Sequence, residues 1–268
     1  MKKLLVTGLA FGALIAPAVA ADLPVKAAPP PVVVSTWTGC YIGGSVGGAW
    51  AKSDWTYRNV NPYSSFGPGS PIAPGDNAFT MSSWIAGVQG GCNYEFQNHW
   101  VIGAEASWSG SDLSRTIPNY VQVFAPFSTQ TVSTSINSLF TVTGRLGYSF
   151  SPGWLGYVKG GYASAKVDTA GVTNPPVAGL LLNWNTSQWH DGFVVGVGGE
   201  YKITQNITLG LEYDYVGLST SDHVGPVSGG AITADNQIVH RVNGNIQSVM
   251  ARLNFLFGGG SAPLVARY

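Results

Sequence analysis

The stretch Phe140-Thr141-Val142-Thr143-Gly144-Arg145-Leu146-Gly147-Tyr148-Ser149-Phe150 changes character every second residue. Phe140, Val142, Leu146, Tyr148 and Phe150 share one parity; Thr141, Thr143, Arg145 and Gly147 share the other. Successive side chains of a strand leave opposite faces, so this segment has one greasy side and one polar side. A soluble sandwich alternates in the same way. It does not place an aromatic at both ends of nearly every greasy side. That placement suits strands that cross a bilayer, with rings at both headgroup levels.

The same beat recurs in eight stretches, near 38–51, 82–96, 99–111, 137–150, 154–166, 191–202, 206–217 and 246–257. Tight turns at Gln97-Asn98, Ser151-Pro152-Gly153 and Thr204-Gln205 alternate with long gaps at 52–81, 112–136, 167–190 and 218–245. Outer-membrane barrels connect an even number of antiparallel strands in this short-long rhythm. The fold class is therefore all-β: an eight-stranded antiparallel up-and-down transmembrane β-barrel. An open edge would strand backbone polar groups in hydrocarbon at several kcal/mol each, so the first strand is expected to pair with the last.

One parity runs through Ile42, Val46, Val88, Ile102, Val142, Leu146, Val158, Val195, Leu211 and Leu253. At one end it meets Trp37, Tyr94, Trp100, Tyr148, Phe150, Trp154, Tyr201 and Phe257; at the other it meets Trp50, Trp84, Trp108, Phe140, Tyr162, Phe193 and Tyr215. The opposite parity holds Gln89, Glu95, Glu105, Arg145, Lys159, Glu200, Glu212, Asp214, Arg252 and Asn254. An eight-stranded ring is barely wide enough for its own side chains. The favoured interior is thus a polar network of Glu105, Arg145, Lys159, Glu200, Glu212 and Arg252, and the alternative is a narrow conducting path. Interior glycines such as Gly87, Gly91, Gly147, Gly161, Gly196 and Gly198 leave room for larger neighbours or ease strand coiling.

Residues 1–20 have the form of a secretory signal peptide: a basic Met1-Lys2-Lys3, an apolar Leu4 to Ala16, and Ala18-Val19-Ala20 before a cut between Ala20 and Ala21. Residues 21–36, with Pro29-Pro30-Pro31, read as an extended periplasmic leader. The barrel occupies 37–257, and 258–268 form a tail. The final strand ends on Phe257, whereas the chain ends on Tyr268; both are candidate assembly signals, and Tyr268 is favoured. Charged residues make up only 10% of the chain, and 13 basic residues balance 13 acidic ones. Nucleic-acid binding, which rests on clustered Lys and Arg, is excluded as a function class.

The two cysteines, Cys40 and Cys92, share the lipid-facing parity near one end of neighbouring strands. A disulfide between them is predicted in an oxidising compartment, and two free thiols are the alternative. His99, His190, His223 and His240 are scattered, without the close repeated spacing of a zinc site, so no metal or cofactor is expected. No histidine falls on the lipid-facing side of a strand, so no catalytic set is expected either. Aromatics in the long gaps, including Tyr57, Tyr63, Phe66, Trp184 and Trp189, either contact other surfaces or pack on the rim.

Trp37-Thr38-Gly39-Cys40-Tyr41-Ile42-Gly43-Gly44 resembles the opening of the small outer-membrane immunogenic proteins of alphaproteobacteria, a porin family with an OmpA-like barrel. Gly87-Val88-Gln89-Gly90-Gly91-Cys92-Asn93-Tyr94 is similar to that family's second strand. Gly103-Ala104-Glu105-Ala106-Ser107-Trp108 resembles its third, and Thr143-Gly144-Arg145-Leu146-Gly147-Tyr148 its fourth. The resemblance implies a structural, surface-exposed and antigenic barrel of the Gram-negative outer membrane, with no catalytic residues. Its partners would be outer-membrane lipid and lipopolysaccharide, the barrel-assembly machinery, and host or environmental ligands met by the loops. Two alternatives stand beside it. One is a small pore, or a surface receptor or adhesin for a ligand such as haem or a host molecule. The other is a soluble lipocalin-type barrel.

Overall fold

The computed structural model describes residues 36–61, 77–124, 128–151, 153–174, 183–226 and 237–258. Side chains at 54–79, 118–130, 173–182 and 223–243 lie outside that description, as do Ala20, Ala21 and Tyr268. Eight strands follow one another: β1 (Gly39–Asn61), β2 (Asn77–Glu95), β3 (Trp100–Phe124), β4 (Ser128–Ser151), β5 (Trp154–Asn174), β6 (Trp184–Lys202), β7 (Ile207–Pro226) and β8 (Gln237–Phe257). Each pairs antiparallel with its neighbours, and β1 closes on β8, from Cys40 opposite Phe257 to Asn61 opposite Gln237.

The alternation decides which face is which. Ile42, Val88 and Leu211 lie on the outer wall, each about 60% exposed. Glu105 and Arg145, on the opposite parity, are buried inside the ring. Outward apolar side chains gain nothing in water, so this wall requires a hydrocarbon solvent. Aromatic contacts ring the short-turn end: Trp154 to Tyr201 at 4.8 Å, Trp100 to Tyr148 at 5.5 Å and Phe150 to Trp154 at 6.4 Å between centroids. At the other end Phe193 approaches Tyr215 at 6.2 Å. From Phe150 to Phe140 the strand rises roughly 33 Å, and a tilt of about 40° makes this roughly 25 Å of height, the usual apolar band of such barrels.

The short turns are locally specified. Phe96 donates its N–H to Trp100 O at 2.8 Å, and His99 takes a positive φ of 67° to complete that turn. In the β6–β7 turn the Thr204 hydroxyl accepts from the N–H groups of Asn206 and Ile207.

The structure departs from the sequence expectations in length. The strands run 19 to 25 residues, about twice what a bilayer crossing needs. Large parts of the gaps expected at 52–81, 112–136, 167–190 and 218–245 are strand. On β4 alone, the run Ser128 to Leu139 rises on past Phe140. Beyond the aromatic ring the greasy parity gives way to Ser, Thr and Asn while the hydrogen-bond ladder continues, as suits strand that has left the hydrocarbon layer.

Candidate functional site

The interior carries the chemistry. Glycines admit it: a Cβ on Gly91 would lie 2.7 Å from the Tyr41 hydroxyl, and one on Gly198 would collide with the Tyr157 ring. The two tyrosines reach across the bore through the space these residues leave. Tyr41 donates to Glu105 Oε2 at 2.6 Å, and Tyr157 donates to Glu212 Oε2 at 2.7 Å.

The six residues expected in the lumen all enter one network. Arg145 donates to Glu200 Oε1 and to the Tyr41 hydroxyl, both at 2.5 Å, and its guanidinium lies 3.8 Å from the centre of the Tyr157 ring. Lys159 reaches Glu212 Oε1 at 2.8 Å and Asp214 Oδ2 at 2.9 Å. Arg252 bridges Glu212 and Glu105 with its two terminal nitrogens. Glu200 also accepts from the Thr208 hydroxyl at 3.2 Å, and Gln89 donates to Asn254 at 2.9 Å. Three cations thus face four carboxylates, every one of them buried. Each charge needs its partners, because an unpaired ion in so dry a place costs several kcal/mol.

Tyr41 and Tyr157 were absent from the predicted set. Their signal was present: each directly precedes an outward residue, Ile42 and Val158, and so belongs to the inward parity.

Two further features correct the expected uniformly polar interior. Toward the long-loop end, Ile85, Leu139, Val194, Val216, Ile246 and Met250 form an apolar layer inside the ring, continued upward by Met81, Leu113, Ile136 and Leu218. A bore too narrow for water favours apolar side chains wherever no ion needs a partner. Just above, a recess of roughly 10 Å³, about one water in size, is lined by Ser53, Ile136, His190, Leu218 and Ile246. His190 sits there buried, its Nδ1 3.4 Å from Ser219 O, and burial holds its pKa below the ordinary imidazole value. Trp184, expected among the loop aromatics, is also buried, at the start of β6, whereas Trp189 is exposed.

At the short-turn end, Trp37 does not join the outer aromatic ring. It is 1% exposed and packs inside with Val101, Leu155 and Tyr157. Trp37 is four residues before inward-facing Tyr41, so it shares the inward parity and not the outward one of the girdle residues. Gly39, with φ 143°, supplies the backbone bend there. The Trp37 N–H donates to Glu95 Oε2 at 2.7 Å. The Lys202 ammonium donates to Thr36 O at 2.6 Å and lies 4.4 Å from the Trp37 ring centre.

On the outer wall, Cys40 and Cys92 occupy directly opposed positions of β1 and β2 and are joined by a disulfide. Phe257 ends β8 on the exposed rim. Among the described residues, no cluster of three or more His, Cys, Asp or Glu is arranged to hold a metal.

Comparison with known proteins agrees with this geometry. Residues 7–255 match the model of the outer membrane protein beta-barrel domain. The 31 kDa outer-membrane immunogenic protein of Brucella melitensis is 30% identical over 228 residues, covering 85% of this chain and 86% of that protein. An uncharacterized protein of Coxiella burnetii is 27% identical over 187 residues, covering 64% of this chain and 71% of its own length. Among solved structures, the outer membrane protease OmpT of Escherichia coli superposes with a TM-score of 0.54, over 83% of this chain and 98% of OmpT. At 9% identity that likeness concerns the fold alone. A closed ring with a greasy outer wall, two aromatic girdles and this match over nearly its whole length leaves one assignment: the chain belongs to the outer membrane protein beta-barrel family and is an integral protein of the Gram-negative outer membrane.

Proposed function

We propose that this protein is a structural, non-conducting barrel whose wall anchors a rigid extracellular extension, and that the extension and its loops meet the environment. The observation that carries this reading is the stacked seal of the bore. Trp37 and Leu155 close the short-turn end, the Glu105–Arg145–Lys159–Glu200–Glu212–Arg252 network fills the middle, and the layer around Ile85, Val216 and Ile246 lies above it. Ion passage would require breaking several buried charge pairs in a site with little water to replace them. Planar-bilayer recording of the refolded full chain is the test. Silence over tens of minutes supports the seal, and steady single-channel steps overturn it.

The strands that continue past the upper girdle favour a second role for the same molecule, as a surface receptor or adhesin. Lipopolysaccharide around the upper wall, host or environmental ligands at the loops, and the barrel-assembly machinery at the end of β8 are the partners this architecture suits. The relative in Brucella is named an immunogenic protein, which agrees with exposed loops. For assembly, Phe257 is a rim aromatic at the end of the last strand, and Tyr268 is the terminal residue. We retain Tyr268 as the favoured signal; competition between Phe257→Ala and Tyr268→Ala variants for membrane insertion tests it. Cleavage between Ala20 and Ala21 is checked by N-terminal sequencing of the mature protein. No catalytic role is proposed: among the described histidines, His190 is buried in the bore and His99 lies in a short turn.

A further inference from the structure

The ladders between neighbouring strands end at different heights. β2 and β3 pair only as far as Ile85 opposite Ser111, and β6 and β7 only as far as Gly192 opposite Leu218, although all four strands run on upward. The other six ladders follow their strands toward the loops, as from Leu113 opposite Ile136 to Phe124 opposite Ser128 between β3 and β4. Above the upper girdle the ring thus parts into two four-stranded sheets, β7-β8-β1-β2 and β3-β4-β5-β6. Each seam starts at a bulge, between Gly110 and Leu113 of β3 and between Leu218 and Ser221 of β7. A bulge bends its strand and sharpens the local twist, which turns β3 away from β2 and β7 away from β6. The seam between β2 and β3 is wet. Arg115 is directly opposite Thr134, so the two share the inner face. Thr134, Leu113 and Val132 on that face are buried, yet Arg115 is exposed. Val132 lies further up than Arg115, so water reaches Arg115 through the seam and not from the top. From Asp112 to Ile117, β3 has its ladder to β4 on one side and, among the described residues, no ladder on the other.

We propose that this seam takes an extended polypeptide segment of another protein, added to the β3 edge as a further strand and carrying an acidic side chain where it passes Arg115. The proposal rests on the reading of the extension as a surface that meets the environment. An open edge presents a row of backbone N–H and C=O groups, and an added strand satisfies them while its alternate side chains supply specificity. On the inner face Leu113 and Ile117 flank Arg115, which calls for apolar, acidic and apolar side chains at alternate positions of the guest. Ser114 and Thr116 on the outer face call for polar ones between them. A carboxylate meeting the guanidinium gains a charge-assisted hydrogen bond. Segments of this chain suit the edge poorly. The β3–β4 connection, residues 125–127, is too short to fold back across β3, and the β1–β2 connection carries Pro62, Pro68, Pro71 and Pro74, each without a ladder donor. A second copy suits it no better. Two upright copies in one membrane, related by a two-fold axis along its normal, would cross their β3 edges at about twice the roughly 40° strand tilt, far from the roughly 20–25° between ladder neighbours.

The test uses the full chain refolded in detergent and a fluorescein-labelled peptide, Thr-Val-Thr-Glu-Thr-Val-Thr, capped at both ends. Fluorescence anisotropy is expected to show saturable binding. Arg115→Glu is expected to weaken it at least about tenfold and to prefer the same peptide with Lys in place of Glu. Methylating the backbone nitrogens along one edge of the peptide should abolish binding, and along the other edge should spare it, a difference that side-chain docking alone does not make. Hydrogen exchange read by mass spectrometry needs no variant: amides of 112–117 should exchange fast in the free protein and slow at least about tenfold with saturating peptide. Absence of binding, equal binding of both methylated peptides, or an unchanged charge preference in Arg115→Glu overturns the proposal. Protection of 112–117 in the free protein that fades on dilution assigns the edge to a second copy and overturns it as well. Thr116→Cys on intact cells, probed with a membrane-impermeant maleimide, separates the two readings. Labelling without peptide binding overturns the proposal alone, and absence of labelling overturns the exposed extension with it.

Discussion

Replacing Arg145 by Met tests whether the barrel's centre is held as described. The side chain of Met keeps roughly the apolar stem of Arg without the guanidinium and its charge. The substitution removes two charge-assisted hydrogen bonds, to Glu200 and to Tyr41, each worth ~1.5–3 kcal/mol. It also removes a guanidinium stacked 3.8 Å from the Tyr157 ring centre, worth about 1–2 kcal/mol when desolvated. Part of that sum is returned, because the guanidinium no longer has to leave water on folding. The larger effect is what remains: Glu200 keeps only the Thr208 hydroxyl among its named partners, and two cations face four carboxylates. Removing one member of a buried pair typically costs ~3–5 kcal/mol. We expect Arg145→Met to lose that much, measured by urea unfolding in lipid vesicles with tryptophan fluorescence and the boiled-versus-unboiled gel shift. Glu200→Gln in the same background should recover ~1–3 kcal/mol of coupling. Lys166→Met, on the extension and only half-buried, should stay within ~0.5 kcal/mol. A loss below ~1 kcal/mol for Arg145→Met, or strict additivity with Glu200→Gln, would refute the network as the organiser of the bore.

Gly198→Ala should destabilise by ~1–3 kcal/mol in the same assay, because its Cβ meets the Tyr157 ring. Gly48→Ala, with nothing within 4 Å, should be neutral or slightly stabilising. Trp37→Ala should lose ~3–5 kcal/mol by emptying the short-turn end of the bore. Cys40→Ser with Cys92→Ser should lower stability by up to ~4 kcal/mol, the chain-entropy figure for a separation of 52 residues. Reducing agent should reproduce the loss in the parent protein and do nothing further to the variant. For His190 the folded pKa is depressed by burial, so the unfolded chain binds the proton more readily. The stability tied to the neutral ring is therefore fully present above the unfolded value and is lost as pH falls, and acidification from about pH 6.5 downward should destabilise the parent more than His190→Gln.

The wall was legible in the sequence because lipid imposes a two-residue rule on every strand that crosses it. Val88, Leu146 and Leu211 on one side, with Glu105, Arg145 and Glu212 on the other, needed only parity to be sorted. The polar network was legible for the same reason, since charges on a membrane strand have only one dry-side refuge. Three things were hidden. Strand above the girdle, such as Ser128 to Leu139, no longer faces lipid, so its Ser- and Thr-rich outer side resembles a loop. Inside the ring, parity does not say whether a residue is polar, and the layer of Ile85, Val216 and Ile246 passed unnoticed. Trp37 shares its parity with inward-facing Tyr41, but it lies just before the first strand, where an aromatic resembles one more girdle residue. Register is finer still: the bulge between Leu218 and Ser221 of β7 has no mark in the residues themselves.

The central claim is that the wall's apolar side chains face outward from a closed ring while the opposite parity, with its charged network, faces inward. Nitroxide labels on single cysteines introduced at Val88, Leu211 and Leu253, and at Ser107, Thr143 and Ser248, report this in lipid vesicles. The first three lie outward and the second three inward in the structure. Dissolved oxygen, concentrated in the acyl chains, should relax the outward labels strongly and the inward ones weakly, with a two-residue period along each strand. Equal relaxation of both sets, or strong relaxation confined to Ser107, Thr143 and Ser248, would contradict it.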